Sequence, residues 1–277
     1  MAVRIVTDSA CDLTAAETDE LGIEVVPLTI RFGADEFVDR TELGVDEFYE
    51  RMATSEELPE TAAPAPGAFE QVFRRLADEG ADAVVCINLS AGLSATHQSA
   101  RTAAGSLEGS VDVRTIDSRS ITAGLGTQVL RAATAARDGA SADEVVALVE
   151  DLVPRTRVLG VLDTLDNLKK GGRIGGAQAL LGSMLSIKPA IDISSGEVKE
   201  AGKPRTRKKA LQWLADQVLA HDHVDGLAIM HGNAPDVDVV LDLLAPRYSR
   251  DDIRVGQIGA VIGSHGGPRV VGACFLA

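Results

Sequence analysis

The chain has 277 residues, of which 45% are hydrophobic and only 3% aromatic, and its formal net charge at pH 7 is −14. This surplus of negative charge excludes a nucleic-acid backbone as a partner and a broad anionic membrane patch as a docking surface. A core poor in aromatic residues must be built from Val, Leu, Ile and Ala, which is typical of a parallel sheet covered by helices. The length is sufficient for two domains.

The three cysteines, Cys11, Cys86 and Cys274, are far apart and form no C-x-x-C pair, so the sequence predicts neither a disulfide framework nor a metal site. No apolar stretch reaches the roughly 18 residues that a membrane-spanning helix needs. The chain also passes from Met1 straight into a strand pattern without the features of a signal peptide. We therefore expect a cytoplasmic protein with no integral membrane segment.

The first 155 residues alternate between short apolar runs and helical patterns. Strands are predicted at residues 3–7, 23–30, 82–89 and 111–116, and helices at 14–21, 69–76, 122–137 and 142–152. This alternation predicts an α/β domain over residues 1–155 with a mainly parallel sheet. No G-x-G-x-x-G motif follows the first strand, so a dinucleotide cofactor is not expected.

Three polar stretches in this half are candidates for ligand contact. Asp8 and Ser9 follow the first strand, where open α/β sheets bind ligands, but they could equally be turn and capping residues. Thr61 lies in the proline-rich stretch 54–66, which we expect to be an irregular loop that holds one hydroxyl in place. Ser94 follows a buried strand and is expected to cap the next helix, where its hydroxyl and free backbone N–H groups suit a carboxylate.

The residues around Ser94 also resemble a nucleophile elbow. GLSAT at 92–96 almost matches G-x-S-x-G, but Thr96 stands in place of the second glycine. His97 lies too close along the chain to be an obvious base for Ser94. The pattern favours Ser94 as a binding residue, with a serine-dependent acyl- or phosphoryl-transfer enzyme as the alternative.

The second half is predicted to be another α/β domain, over residues 156–277, and it begins with a glycine-rich basic segment at 165–189. There, Arg173 and two lysines lie among four glycines just before a predicted helix at 177–185. Crowded backbone N–H groups beside cationic side chains indicate an anion site, whereas the alternative is a glycine-rich hinge with solvated lysines. No P-loop spacing occurs, so the segment does not indicate ATP.

Two further features of this half stand out. The basic cluster at 203–209 includes Arg205 and is either an anion contact or simply a charged helix start. The loop predicted at 262–268 carries His265 between glycines, which suggests an exposed histidine that is free to titrate.

Taken together, five stretches resemble the DegV family, which includes the FakB-type fatty-acid-binding proteins. These stretches are Thr7-Asp8-Ser9, TAAPAPGAF at 61–69, LSAGLSATHQSA at 89–100, LDNLKKGGRIGGAQALLGSMLSIKPAI at 165–191 and IGSHGGP at 262–268. The resemblance spans nearly the whole chain, and the long glycine-basic segment is its most specific part.

The resemblance implies two α/β domains with a long-chain fatty acid bound in the cleft between them, and no other cofactor. It implies that Thr61 and Ser94 hold the carboxylate, and that Arg173, Arg205 and His265 lie near the carboxylate mouth. It also implies a carrier that is not itself an enzyme. Such carriers present the acid to a separate ATP-dependent fatty acid kinase, which makes acyl-phosphate for phospholipid synthesis.

The sequence departs from the family pattern around both hydroxyls. Ala62 and Ala63 follow Thr61, where the family commonly has T-S-Q-P. Ala91, Ala95 and His97 replace Ser, Gly and Tyr in the pattern S-S-G-L-S-G-T-Y. The two hydroxyls remain, so we expect these changes to affect the acyl-chain preference and the head-group network rather than the class of ligand.

Overall fold

The computed structural model describes residues 2–182 and 187–277. Its strands are β1 (Val3–Asp8), β2 (Glu24–Val26), β3 (Thr29–Phe32), β4 (Asp35–Val38), β5 (Glu60–Ala62), β6 (Ala83–Asn88), β7 (Val113–Asp117), β8 (Thr156–Val161), β9 (Ala190–Asp192), β10 (Lys199–Gly202), β11 (Asp225–His231), β12 (Arg254–Gln257) and β13 (Val271–Leu276). Its α-helices are α1 (Ala15–Leu21), α2 (Val45–Thr54), α3 (Pro66–Asp78), α4 (Thr96–Ser106), α5 (Thr122–Arg137), α6 (Ala142–Arg155), α7 (Asp166–Lys170), α8 (Arg207–Leu219), α9 (Val237–Leu244) and α10 (Ala260–Gly266).

The first sheet is parallel and four-stranded, in the order β2-β1-β6-β7. Its two central strands are almost wholly buried because helices cover both faces, as the continuous apolar runs of the sequence predict. Phe69 and Phe73 of α3 pack on one face, and Leu125 of α5 and Val145 of α6 belong to the apolar cluster on the other. The predicted α/β class is confirmed.

A small antiparallel sheet, β4-β3-β5, was not predicted and corrects the irregular loop expected at 54–66. Within that stretch, β5 pairs with β3, and Thr61 lies opposite Ile30. The prolines lie on either side of this short strand. Pro59 precedes it, and Pro66 is the first residue of α3, a position whose backbone N–H has no partner within the helix. Thr61 is therefore held by a strand ladder and not by a loop.

The second sheet has six strands in the order β10-β9-β8-β13-β11-β12, and it is antiparallel except for the β11–β12 pair. Helices α8 and α9 cover one face, where Leu214, Val240 and Phe275 belong to a separate apolar cluster. The opposite face belongs to the cluster that also contains the core of the first half. The predicted boundary between residues 155 and 156 falls where α6 meets β8, and the division into two domains stays a prediction.

The β9–β10 turn ties the two halves together. Ser90 Oγ donates to Gly196 O over 2.6 Å, and Arg119 Nη2 donates to Ser195 O over 2.8 Å. The two strands that flank this turn form an antiparallel pair. One apolar cluster and these hydrogen bonds hold the second sheet against the first half.

Two sequence expectations in the second half change. The stretch 262–268 was expected to be a tight loop, but most of it is helical, in α10. The helix expected at 177–185 is a 3-10 helix over Gly175–Gly182, and residues 183–185 of that expectation lie outside the described residues. Across 2–182 and 187–277, no helix has the length and apolar character needed to cross a bilayer.

Candidate functional site

A cavity of about 210 Å³ lies between the free face of the second sheet and the first half of the chain. Its walls are mostly aliphatic and include Val158 of β8, Ile191 of β9 and Cys274 of β13. Among the described residues, the polar side chains of this lining are Thr61, Ser94, Thr122, Arg173 and His265. The site is therefore an apolar enclosure with hydroxyl, guanidinium and imidazole groups at its lining.

Thr61 and His265, which are 204 residues apart in the sequence, form a hydrogen bond between Oγ1 and Nε2 at 2.9 Å. Burial, aided by the charge of Arg173, lowers the pKa of His265 to about 4, so the imidazole is neutral at pH 7. The expectation of an exposed, titrating histidine is therefore wrong. The reason is that α10 turns the side chain into the cavity and against Gly171, where an added Cβ would lie only 2.4 Å from His265 Nδ1.

The surroundings of His265 also select its tautomer. Nδ1 is buried and has no hydrogen-bond partner among the described residues. A proton on Nδ1 would leave a buried donor unsatisfied, so the proton belongs on Nε2. Nε2–H then donates to Thr61 Oγ1, which leaves the Thr61 hydroxyl hydrogen free for a ligand.

Ser94 lies in the turn between β6 and α4. Its Oγ accepts a hydrogen bond from Thr96 N over 3.2 Å and lies 2.8 Å from Thr96 Oγ1. The expected N-cap is displaced by one residue: Ala95 is the N-cap of α4, and it makes no side-chain cap. The hydroxyl still lies at the amino end of an 11-residue helix, where a carboxylate is favoured.

The same contacts test the alternative in which Ser94 is a nucleophile. None of its described hydrogen bonds involves a histidine, because His265 pairs with Thr61 and His97 Nδ1 has no described partner. A serine nucleophile needs a base within hydrogen-bond reach. The described geometry provides the hydroxyl without that base.

Arg173 connects the glycine-rich segment to the turn that carries Ser94. Its Nε donates to Leu93 O over 3.2 Å, and its Nη1 donates to Gly171 O over 2.6 Å. The guanidinium thus lines the cavity beside His265 and Ser94. A fixed positive charge at this place offsets part of the cost of burying a carboxylate.

Arg205 is not brought to this site. Its side chain is exposed, and the described residues that line the cavity do not include it. The cationic residue of the 203–209 cluster that enters the protein is Arg207, whose Nη2 lies 2.8 Å from Asp236 Oδ1 and whose Nη1 lies 3.6 Å from Asp163 Oδ1. Most of this cluster therefore begins α8, with Arg207 serving as an internal ion-pair partner.

Asp8 and Ser9 have structural roles. The Asp8 carboxylate accepts hydrogen bonds from Leu89 N at 2.8 Å, Asn88 Nδ2 at 3.1 Å and Ala10 N at 3.1 Å. Burial raises the pKa of Asp8 to about 6, although these hydrogen bonds oppose the rise. Asp8 is the N-cap of the 3-10 helix Ser9–Cys11, as the turn-and-cap alternative expects, whereas Ser9 Oγ accepts from the distant Leu28 N.

Sequence reasoning missed the aliphatic walls and the Thr61–His265 pair. The wall residues of β8 and β13 occur in runs that are apolar on both faces of the sheet, so period-two alternation could not show which face borders a cavity. Within the described part of the chain, no group of three or more His, Cys, Asp or Glu side chains is placed to hold a metal ion.

Comparison with known proteins agrees with this geometry. A family model described as "Uncharacterised protein, DegV family" matches residues 2–277. A DegV domain-containing protein of Streptomyces coelicolor is 38% identical over 276 residues, which covers 98% of this chain and 96% of that protein.

Solved structures extend the similarity to the whole fold. The structure of a fatty-acid-binding DegV family protein from Thermus thermophilus superposes with a TM-score of 0.90 at 34% identity and covers 100% of both chains. A fatty-acid-binding DegV family protein from Streptococcus agalactiae gives a TM-score of 0.91 at 27% identity, with 100% of this chain and 99% of that chain covered. The match of the family model to nearly every residue, together with these relatives, shows that the chain belongs to the DegV family.

Proposed function

We propose that the protein binds one long-chain fatty acid in this cavity, with its carboxylate held by Thr61 and Ser94. The observation that carries the proposal is the cavity itself, an aliphatic enclosure lined by the hydroxyls of Thr61 in β5 and of Ser94 in the turn before α4. The related proteins described as fatty-acid-binding support the same ligand class. On this proposal the acid is the ligand, and no metal or other cofactor takes part.

The apolar walls supply most of the affinity. Each buried methylene contributes roughly 0.8 kcal/mol, so about fourteen of them contribute on the order of 10 kcal/mol before the costs of ordering the chain. The carboxylate is the costly part, because an ionised group is strongly destabilised in an apolar site unless it is hydrogen-bonded. Donors at the polar lining therefore decide whether a fatty acid or a plain hydrocarbon is favoured.

The polar residues have distinct roles in holding that carboxylate. His265 donates to Thr61 and so directs the free Thr61 hydroxyl hydrogen toward the ligand. Ser94 offers a second hydroxyl at the amino end of α4, and Arg173 adds a fixed positive charge nearby. A neutral His265 adds no charge of its own, so the carboxylate is balanced mainly by Arg173.

We further propose that the protein does not transform the acid but presents it to a separate ATP-dependent fatty acid kinase in the cytoplasm. The absence of a base next to Ser94 among the described contacts supports a carrier. On this view, Arg173 and Arg205 stabilise the added charge of the acyl-phosphate, which then enters phospholipid synthesis. Arg205 suits this role because it is exposed outside the cavity, where it is accessible to a partner.

Mass spectrometry of the purified protein, first under native conditions and then after solvent extraction, tests the binding proposal. We expect a stoichiometric long-chain fatty acid, and we expect its loss from the double variant Thr61→Val, Ser94→Ala. The matched control is Thr102→Val with Ser110→Ala, because both residues are exposed and neither lines the cavity. Equal lipid retention in both double variants would contradict the assignment of the two hydroxyls.

The kinase proposal is tested separately. Protein loaded with radiolabelled palmitate is incubated with a purified fatty acid kinase and ATP, and acyl-phosphate is trapped with hydroxylamine. We expect Arg205→Ala to keep its lipid and to lose most of the acyl-phosphate. Wild-type yield from both Arg173→Ala and Arg205→Ala would remove the arginines from the proposal, and ester hydrolysis that disappears in Ser94→Ala would favour an enzyme.

A further inference from the structure

Two glycines face each other on the sheet side of the cavity. Strands β8 and β13 are antiparallel neighbours at the centre of the second sheet, and Gly160 lies directly opposite Gly272 in their register. Both residues line the cavity. Neighbouring positions that also line it carry larger side chains, such as Val158 on β8 and Cys274 on β13. The cavity lining therefore has a shallow depression where these two neighbouring strands carry no side chain.

Neither backbone conformation nor packing explains the glycine at position 160. Its φ is not in the left-handed region, so an L residue fits the backbone. An added Cβ would meet Ile191 Cγ1 at 3.5 Å and Cδ1 at 3.8 Å, which are ordinary van der Waals distances. Glycine weakens a strand interior, and it often marks a place where a ligand approaches closely. For Gly160, the surrounding protein supplies no other reason.

The position of the pair along the cavity indicates which part of the ligand it meets. Val270, which also lines the cavity, packs near Gly266 beside His265, and so it lies close to the polar groups. Gly272 lies two residues further along the chain, a step of about 7 Å along a strand. The pair therefore borders interior carbons of an acyl chain whose carboxylate is at Thr61.

We propose that the Gly160–Gly272 pair is a specificity-determining feature that favours long-chain fatty acids thickened or bent in mid-chain over straight saturated ones. This inference rests on the proposed fatty-acid binding. Two missing Cβ atoms side by side leave a depression that a straight chain does not fill, and unfilled space loses dispersion contacts. A methyl branch or a cis double bond places carbon in that depression.

The experiment uses delipidated full-length protein and an equimolar mixture of stearate, oleate and tuberculostearate. These acids share the same backbone length, but the second has a mid-chain cis double bond and the third a mid-chain methyl branch. Native mass spectrometry gives the occupancy of each. We expect oleate or tuberculostearate to exceed stearate in the wild type, and we expect Gly160→Ala to lower that ratio about tenfold, because one added methyl overpacks a filled site.

Two further variants complete the test. Gly105→Ala is the matched control, because an added Cβ there meets nothing within 4 Å and its backbone has ordinary φ. Ile191→Val removes a methylene beside Gly160, and we expect it to shift the ratio in the opposite direction. This variant decides the question even if Gly160→Ala fails to fold.

Each outcome has a definite meaning. A drop confined to tuberculostearate supports a branch in the depression, and a drop confined to oleate supports a bend. The inference is overturned if Gly160→Ala lowers the occupancy of all three acids equally or of none of them, or if Ile191→Val leaves the ratio unchanged. The glycine pair would then not discriminate between acyl chains of different shape. In that case, wild-type uptake of the acids still supports the proposed function. Uptake of none of them by the wild type would instead overturn the proposed function itself, and this inference with it.

Discussion

The polar cluster around Asp8 and the polar groups around Thr61 look alike in the sequence, but the structure gives them opposite characters. Asp8 receives three hydrogen bonds from donors of the protein, two of them backbone N–H groups. With the His265 proton on Nε2, as its unpartnered Nδ1 favours, Thr61 accepts one hydrogen bond and keeps its own hydrogen free. On the proposed function, unused hydrogen-bonding capacity beside a cavity distinguishes the ligand-binding residue from the structural one better than residue type does.

The largest expected effect comes from removing the carboxylate of the structural cluster. Asp8→Ala leaves the donors of Ala10, Asn88 and Leu89 without their acceptor, and each such buried group costs about 1–3 kcal/mol. We expect the free energy of unfolding in urea to fall by about 3–5 kcal/mol.

Asp35→Ala is the control for this prediction, because Asp35 is exposed and we expect it to change stability by less than about 0.5 kcal/mol. The lipid content of folded Asp8→Ala should match the wild type, since Asp8 does not line the cavity. An Asp8→Ala protein that stays stable but loses its lipid would reverse the assignment of the two clusters.

A second buried carboxylate, that of Asp39, makes the stability of the folded protein depend on pH. Burial raises the pKa of Asp39 from 3.8 to about 6, so the folded protein holds this proton more tightly than the unfolded chain does. The resulting stabilisation is fully present below about pH 4 and is lost as the pH rises to about 6. Asp39→Asn removes this dependence.

Urea unfolding at pH 4.5 and pH 7 measures the effect. We expect the stability of Asp39→Asn relative to the wild type to increase by about 2 kcal/mol from the lower to the higher pH. The exposed Asp35→Asn serves as the control and should show no such change. A constant difference between Asp39→Asn and the wild type would mean that Asp39 is ionised throughout.

Arg173 and Arg205 offer a comparison within the proposed mouth. Arg173→Ala removes the charge-assisted hydrogen bond to Leu93 O that joins the glycine-rich segment to the Ser94 turn, and a second one to Gly171 O within the segment. We therefore expect fatty acid to dissociate about tenfold faster. Arg205→Ala should leave that rate unchanged, because Arg205 is exposed outside the cavity. Stopped-flow transfer of a fluorescent fatty acid to vesicles measures both rates, and equal acceleration would show that net charge, rather than these contacts, retains the ligand.

The smallest expected change concerns His265, which we expect not to titrate near neutral pH. With a pKa of about 4, His265 should show no change in its ring chemical shifts between pH 5.5 and 8. Long-range ¹H–¹⁵N spectra of the lipid-free protein should show the proton on Nε2. Titration of His265 within that range, or a proton on its Nδ1, would contradict the assignment in which Nε2–H donates to Thr61. The Thr61 hydroxyl hydrogen would then not be free for a ligand.

Much of the fold follows from local pattern, because continuous apolar runs and capping boxes depend on neighbours in sequence. Strands β1 and β6 and the cap formed by Thr14 and Glu17 are of this kind. By contrast, β5 has only three residues and exists because β3 offers it an edge, which no local pattern reveals.

The candidate site shows the same limit. The local pattern makes Thr61 and Ser94 candidates, the family resemblance assigns them the carboxylate, and both line the cavity. The contact between Thr61 and His265 joins residues 204 positions apart, and the burial that neutralises His265 comes from Gly171 and α10. Such effects arise from tertiary packing, so the sequence could suggest the residues but not their protonation or their hydrogen bonding.

The cavity also links the stability of the folded chain to ligand binding. Its aliphatic walls, including Leu89, Val158 and Ile258, belong to the same apolar cluster that joins the two halves. A ligand in the cavity would therefore contact side chains of this shared core. Any acid that binds only the folded form adds RT ln(1 + [L]/Kd) to stability, about 2.7 kcal/mol at a hundredfold excess over Kd. If the proposed function holds, the cellular lifetime of the protein would increase with fatty-acid supply, because a chain without ligand lacks this stabilisation and is degraded first.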